Sequence, residues 1–196
     1  MVKSKPLTNF LFETDPNGFY SNLSCSCTPW IDVCVILHLV RRYKPDRFLE
    51  IGTNRGVTTR TLAEKFPLMQ IVTVDPGDQI AVADRPRNQV TEYLSQVEIG
   101  ECVTTHRNVT VLKQRLEEID FGRQRFDMVF IDGDHRFSAV LRDTRIALGL
   151  VQHPGILIWH DYGNVKDVEI ALDTLNLSGS IIAIQDTWIA FHSTYP

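Results

Sequence analysis

The chain of 196 residues has little that would place it in a metal-stapled, membrane-spanning or nucleic-acid-binding class. It carries four cysteines, Cys25, Cys27, Cys34 and Cys102, and they complete no zinc spacing, since Cys25-x-Cys27 with Cys34 lacks a fourth ligand. Reduced thiols without a role are therefore expected. The segment 1–13 has basic Lys3 and Lys5 but a broken apolar stretch, so it reads as neither a signal peptide nor a membrane span. An excess of positive charge is also missing: the formal net charge is −4, which argues against nucleic acid as the main partner. Arginines at 85, 87, 107, 115, 123 and 125 read as solvated surface charge, with a gathering near an anionic substrate as the alternative. Internal repeats and low-complexity tracts are absent. With 43% hydrophobic and 22% charged residues, the chain has enough apolar content for one ordinary soluble domain over 1–196, expected to be cytoplasmic and without a membrane partner.

What is present is an alternation of strand and helix. Residues 1–27 read as irregular, with a turn at Asp15-Pro16-Asn17-Gly18. Thr28 as N-cap and Pro29 at the first helical position then open an apolar helix to about residue 43, so that 1–45 precede a core spanning 46–196. Strands follow at 47–51, 70–74, 109–112, 126–131 and 155–159, and helices at 56–66, 136–150 and, within a polar segment, 87–97. A hairpin joins 181–185 to 188–192 through Asp186-Thr187. Apolar strands separated by helices imply a doubly wound α/β fold, a mostly parallel sheet covered on both faces, here with one antiparallel strand near its end.

Chemistry concentrates at the ends of these strands. Phe48-Leu49-Glu50-Ile51-Gly52-Thr53-Asn54-Arg55-Gly56 is a buried strand, a carboxylate, a glycine-broken turn and a helix start. Glycines permit a tight turn and close backbone approach, and the helix start offers unpaired N–H groups. The third glycine of a dinucleotide fingerprint is missing, and Glu50 would repel a pyrophosphate, so a cationic or polar ligand is favoured over a nicotinamide dinucleotide. Asp75, at the end of the next strand, stands where α/β nucleotide binders place the acid that accepts ribose hydroxyls, although before Pro76 it could also cap a turn. Phe130-Ile131-Asp132-Gly133-Asp134-His135-Arg136 and Trp159-His160-Asp161-Tyr162 bring three carboxylates and two imidazoles to neighbouring strand ends, a pattern suited to a metal or acid/base site. Asp134 could instead cap the following helix.

Glu50, Gly52 and Gly56 match the Glu/Asp-x-Gly-x-x-x-Gly motif, and here the chain resembles the class I S-adenosylmethionine (SAM)-dependent methyltransferases. The resemblance runs from Phe48 to about Tyr162. Through Asp-Gly-Asp-His followed by His-Asp, it is similar to small methyltransferase domains of natural-product and sugar-modifying pathways. What it implies is a seven-stranded Rossmann-like sheet and SAM held by Glu50, Gly52, Thr53, Asn54, Gly56, Asp75 and Asp132. Gln114 is implied at the adenine, with an exposed helix-start role as its alternative. The spacing also resembles catechol-type O-methyltransferases. That likeness implies a divalent cation on Asp132, His160 and Asp161, with His160 favouring manganese over magnesium. His135 falls where that family has a catalytic lysine, so His135 or His160 is the expected base for a small-molecule hydroxyl, and a metal-free route stays open. A SAM-binding protein without catalysis is the rival class, and a dinucleotide-dependent oxidoreductase is less favoured. The acceptor is not legible, and a homo-oligomer is neither required nor excluded.

Overall fold

The computed structural model describes residues 2–7, 28–76 and 106–195. The turn expected at 15–18, the helix at 87–97, and Cys25, Cys27 and Cys102 lie outside those residues. The described chain runs β1 (Lys3–Lys5), α1 (Trp30–Tyr43), β2 (Arg47–Ile51), α2 (Val57–Lys65), β3 (Gln70–Val74) and β4 (Val109–Leu112). A 3-10 turn at Leu116–Glu118, β5 (Phe126–Ile131), α3 (Phe137–Leu150), β6 (Val151–Trp159), α4 (Lys166–Thr174), β7 (Ile181–Ile184) and β8 (Ala190–Ser193) follow. The strands make one sheet in the order β1-β7-β8-β6-β5-β2-β3-β4, in which β8 runs antiparallel to both neighbours and the other pairs are parallel. Among the described residues no helix is long and apolar enough to cross a membrane.

The doubly wound, mostly parallel sheet is as expected, but among the described residues it has eight strands rather than seven. The extra strand is β1, which pairs with β7 from Lys3↔Ile182 to Lys5↔Ile184 and exposes all three side chains. A backbone ladder at a sheet edge needs no apolar alternation, so a polar Lys-Ser-Lys leaves no trace in the sequence pattern. The start of α1 also differs. Pro29 occupies the N-cap position with no side-chain cap bond, because the Thr28 hydroxyl donates instead to Asp132 Oδ2 at 3.1 Å. Strand β6 begins at Val151, before the expected 155, with a register shift against β5 between Phe126 and Met128.

Side-chain alternation divides the core. Phe48, Ile71, Met128, Phe130, Ile156 and Ile158 pack against α1 and α2, whereas Leu49, Ile51, Val129, Ile131, Leu157 and Trp159 pack against α3 and α4. Each large apolar side chain so buried contributes roughly 1.5–3 kcal/mol. The connection reverses direction between β2 and β5, which stand side by side, so the ligand-binding crevice of this topology opens at their carboxyl ends.

At the opposite edge, Asp127 ties three segments together. Its Oδ2 accepts the Asp46 and Arg47 N–H groups at 2.9 and 2.7 Å, and its Oδ1 accepts the Gln152 side-chain amide. Asp127→Ala is expected to lower unfolding stability by about 1–3 kcal/mol in a urea titration, since it leaves these donors without their acceptor. Ligand affinity at the far edge should not change.

Candidate active site

The sheet ladder continues one residue past each of four strands. Gly52 N–H donates to Val74 O at 2.8 Å, Asp132 N–H to Ile51 O at 2.8 Å, Asp75 N–H to Leu112 O at 3.0 Å, and His160 N–H to Ile131 O at 3.1 Å. The residues singled out in the sequence are thereby held in one row. Gly52 has φ +101°, and a Cβ there would lie 2.1 Å from the Asp132 carbonyl oxygen. Its glycine is thus required by the neighbouring backbone as well as by any ligand.

Glu50 is 1% exposed and faces the α1 and α2 side. Its Oε2 accepts the hydroxyls of Thr59, on α2, and Thr73, its register partner on β3. Burial pushes the Glu50 carboxyl up to about 8, against the lowering effect of those two hydrogen bonds, and the negative charges of Asp132 and Asp75 add to the rise. A shallow cleft opens beside it, with Thr28, Gly52, Asn54, Arg55, Thr58 and Asp132 in its wall. Thr53 also lines it, its hydroxyl 2.6 Å from that of Thr73. Asn54 takes a left-handed conformation, φ 47°, and its N–H donates to Asp75 Oδ2 at 3.0 Å, so the second acid fastens the turn from outside. Gly56, φ 79°, stands at the N-cap of α2. Gln114 is exposed after β4, the strand beyond Asp75.

On the other side of Asp132 lies the carboxylate and imidazole cluster. His135 Nε2 is 2.9 Å from Asp161 Oδ2 and 3.5 Å from Asp132 Oδ1. One ligand atom each from Asp132, His135 and Asp161 lie within 4.8 Å of one another, a spacing that could hold a metal ion. Asp161 adopts φ 60°, and its Oδ1 accepts the Asn164 side-chain amide at 2.7 Å. Hydrogen bonds that His135 donates to Asp132 and Asp161 push its imidazole up to about 9, burial opposing. Burial would raise Asp161, but the hydrogen bonds of His135 and His160 outweigh it and hold that carboxyl well below the ordinary range. Asp134 turns away to Arg136, whose Nε lies 2.8 Å from Asp134 Oδ2. Its Oδ1 accepts the Arg136 N–H at 3.0 Å, while the first N–H of α3, on Phe137, goes to Asp167 Oδ2 at 3.1 Å.

His160, expected as base and as metal ligand, is enclosed by three carboxylates. Its side chain is 5% exposed, with Nδ1 3.1 Å from both Asp132 Oδ1 and Asp161 Oδ2 and Nε2 3.0 Å from Asp32 Oδ2. A carboxylate only accepts, so with these acids ionised each ring nitrogen has an oxygen to donate to. Among the described residues, the group whose ligand atoms could share one ion is Asp132, His135 and Asp161. Asp32, the residue missed in the sequence, is fully buried on α1. A single acid inside Trp30-Ile31-Asp32-Val33-Cys34-Val35 was the available signal. The arginines at 107, 115, 123 and 125 are exposed, and Arg115 faces Glu117 at 3.7 Å, as the solvated reading expects. Cys34 is buried within α1.

The Glu50 environment sets a pH dependence. A carboxyl raised from 4.5 in the unfolded chain to about 8 in the fold binds its proton more tightly when folded. Native stability then falls as pH rises across that window and levels off above it. Glu50→Gln removes this slope. Its stability relative to wild type should rise from about pH 5 to about pH 9, by up to roughly 4 kcal/mol, in unfolding titrations of the ligand-free protein. Parallel curves for the two proteins would contradict the assigned environment.

Comparison with known proteins bears on the family and the fold. A family model described as a methyltransferase domain matches residues 49–162. An uncharacterized protein of Acanthamoeba polyphaga mimivirus is 20% identical over 134 residues, 67% of this chain and 59% of that protein, so the chain spans less than two thirds of it. The O-methyltransferase TomG of Streptomyces achromogenes, solved in complex with SAM, superposes with a TM-score of 0.60 at 18% identity over 94% of this chain and 91% of that one. An O-methyltransferase of Bacillus cereus, in complex with SAH, gives 0.54 at 16% identity over 87% and 83%. The SAH-bound Podospora anserina methyltransferase PaMTH1 gives 0.59 at 14% over 84% and 78%. At such identities these likenesses are of fold. The family match covers more than half the chain, from the acidic strand end before the glycine turn to the His160-Asp161 pair, and the protein belongs to the methyltransferase domain family.

Proposed function

We propose that the protein transfers the methyl group of SAM to a hydroxyl oxygen of a small molecule, assisted by a divalent cation on Asp132, His135 and Asp161. The observation that carries the cofactor reading is Glu50, a buried acid in the wall of a cleft whose other nearby acids, Asp75 and Asp132, make its ionisation harder. Although Arg55 also stands in the wall, three acids this close suit a ligand with positive charge better than a pyrophosphate. SAM would supply an electrophilic methyl group on a positively charged sulfur. Glu50, Thr53 and the turn from Gly52 to Gly56 would seat it, Asp75 would accept the ribose hydroxyls, and Gln114 would reach the adenine. The structural neighbours solved with SAM or SAH support this reading by fold.

Asp132 belongs to both halves of the site, lining the cleft and facing His135 and His160. Two carboxylates and an imidazole fit manganese better than magnesium, which prefers oxygen alone. A bound cation would lower the pKa of the acceptor hydroxyl. The metal-free rival asks His135 to accept that proton, yet Asp132 and Asp161 keep its imidazole protonated at neutral pH. That favours the cation, which would take the place of the imidazolium proton between the two acids. Asp132 and Asp161 would then orient the acceptor against the cleft.

Calorimetry with SAM, followed by turnover over a panel of phenolic and sugar hydroxyl acceptors, tests the proposal. SAM should bind, and Asp75→Ala should weaken it about tenfold, roughly 1.4 kcal/mol. EDTA should abolish turnover, manganese should restore it, and Asp132→Ala should remove turnover more strongly than SAM binding. A folded protein that does not bind SAM would sink the cofactor assignment. Turnover that survives EDTA unchanged would establish the metal-free route.

A further inference from the structure

We propose that Asp32, on the helix preceding β2, is a positioning residue that fixes His160 and, through it, holds the carboxylates of Asp132 and Asp161 together for their cation. Its purpose rests on the metal-assisted reading above, while its geometry stands without it. Asp32 is 0% exposed on a helix face otherwise made of Val33, Ile36, Leu37 and Val40. Burying a carboxylate is costly unless it is paired and hydrogen-bonded, and an apolar side chain would pack the same face without that cost. The acid is explained by its two partners. Oδ1 accepts the backbone N–H of Trp188 at 3.1 Å, anchoring the carboxylate to the turn between β7 and β8. Oδ2 lies 3.0 Å from His160 Nε2.

The Asp32 contact turns the opposite edge of the imidazole toward the acceptor half of the site. Nδ1 then stands 3.1 Å from one oxygen of Asp132 and 3.1 Å from one oxygen of Asp161. Phe130 and Trp188 pack edge-on to the ring with centroids 6.2 and 5.8 Å away, so the imidazole has neighbours on its flanks as well as at both nitrogens. Two carboxylates this close repel each other. An N–H placed between them offsets that repulsion, provided the ring cannot swing away, and Asp32 is what holds it from behind. Partners lying just outside a metal's ligands typically change its affinity 10- to 100-fold.

The test combines imidazole NMR with manganese calorimetry, both on the SAM-free protein. Wild type should show a slowly exchanging, downfield imidazole N–H resonance, identified by its absence in His160→Gln. In Asp32→Asn, nearly isosteric and expected to fold, this resonance should be lost or move upfield. Manganese affinity should drop about 10- to 100-fold while SAM affinity stays unchanged. In the His160→Gln background Asp32→Asn should have no further effect on manganese, because its influence runs through that ring. A merely structural role would instead lower melting temperature, SAM affinity and manganese affinity together, with or without His160, and would overturn the proposal. So would an unchanged resonance in Asp32→Asn. Should wild type bind neither manganese nor magnesium, the metal reading fails on its own, and the resonance decides for Asp32: its loss in Asp32→Asn supports the clamp, and its persistence refutes it.

Discussion

The backbone of Asp132 occupies the space where a side chain on residue 52 would stand, with a Cβ there 2.1 Å from the carbonyl oxygen. Everything at the carboxyl edge is arranged around that close approach. It lets the turn after β2 nest against the end of β5, so that one carboxylate serves the cleft beside Glu50 and the cluster beside His135. A larger residue at position 52 would push the two apart, and the halves of the site would lose their common member. The ladder bonds of Gly52, Asp75, Asp132 and His160 beyond their strands extend the rigidity of the sheet into what would otherwise be loops.

The two halves treat charge differently. In the cleft, whose wall also carries Arg55, Glu50 is buried, Asp75 and Asp132 oppose its ionisation, and hydroxyls of Thr59 and Thr73 are its hydrogen-bond donors. In the cluster, Asp32, Asp132 and Asp161 face two imidazoles, and both rings are driven toward the charged form. For His160, burial opposes that outcome and the surrounding carboxylates outweigh it. The three carboxylates of the cluster outnumber its two imidazoles, so it keeps a net negative charge even with both rings protonated, and a cation entering it would displace a proton.

Much of this was legible because strand ends are. The apolar runs located β2, β3, β5 and the end of β6, and the acids in or just past their last residues, Glu50 within β2 and Asp75, Asp132 and Asp161 beyond theirs, stand at the carboxyl edge by necessity of the parallel topology. The glycine turn was legible for a related reason, since few other residues tolerate φ +101°. What could not be read was which side chain meets which across long sequence separations. His160 lies on the same face as Ile156 and Ile158, so alternation alone implies that it looks toward the α1 side. That Asp32 waits there, 128 residues earlier, depends on helix packing that no local pattern records. The edge strand β1 escaped for the opposite reason, being held by backbone pairing with three exposed polar side chains. Thr28 escaped because a threonine before a proline and an apolar run reads as a cap, whereas its hydroxyl reaches Asp132.

The choice between the two histidines shows how burial sorts residues that sequence treats as equivalent. Both follow an acidic strand end, and both come within hydrogen-bond reach of the same oxygens of Asp132 and Asp161, counting the longer 3.5 Å approach of His135. His160 continues the inward-facing alternation of β6 and enters the layer beneath α1, where a third carboxylate takes its remaining nitrogen. His135 comes after the strand has ended, in the turn before α3, and its side chain stays 45% exposed. A group that must exchange a proton or admit a ligand needs that access. A group that must not move needs the burial. The fold therefore leaves one imidazole open to solvent and encloses the other among Asp32, Asp132 and Asp161, a division set by where each strand stops.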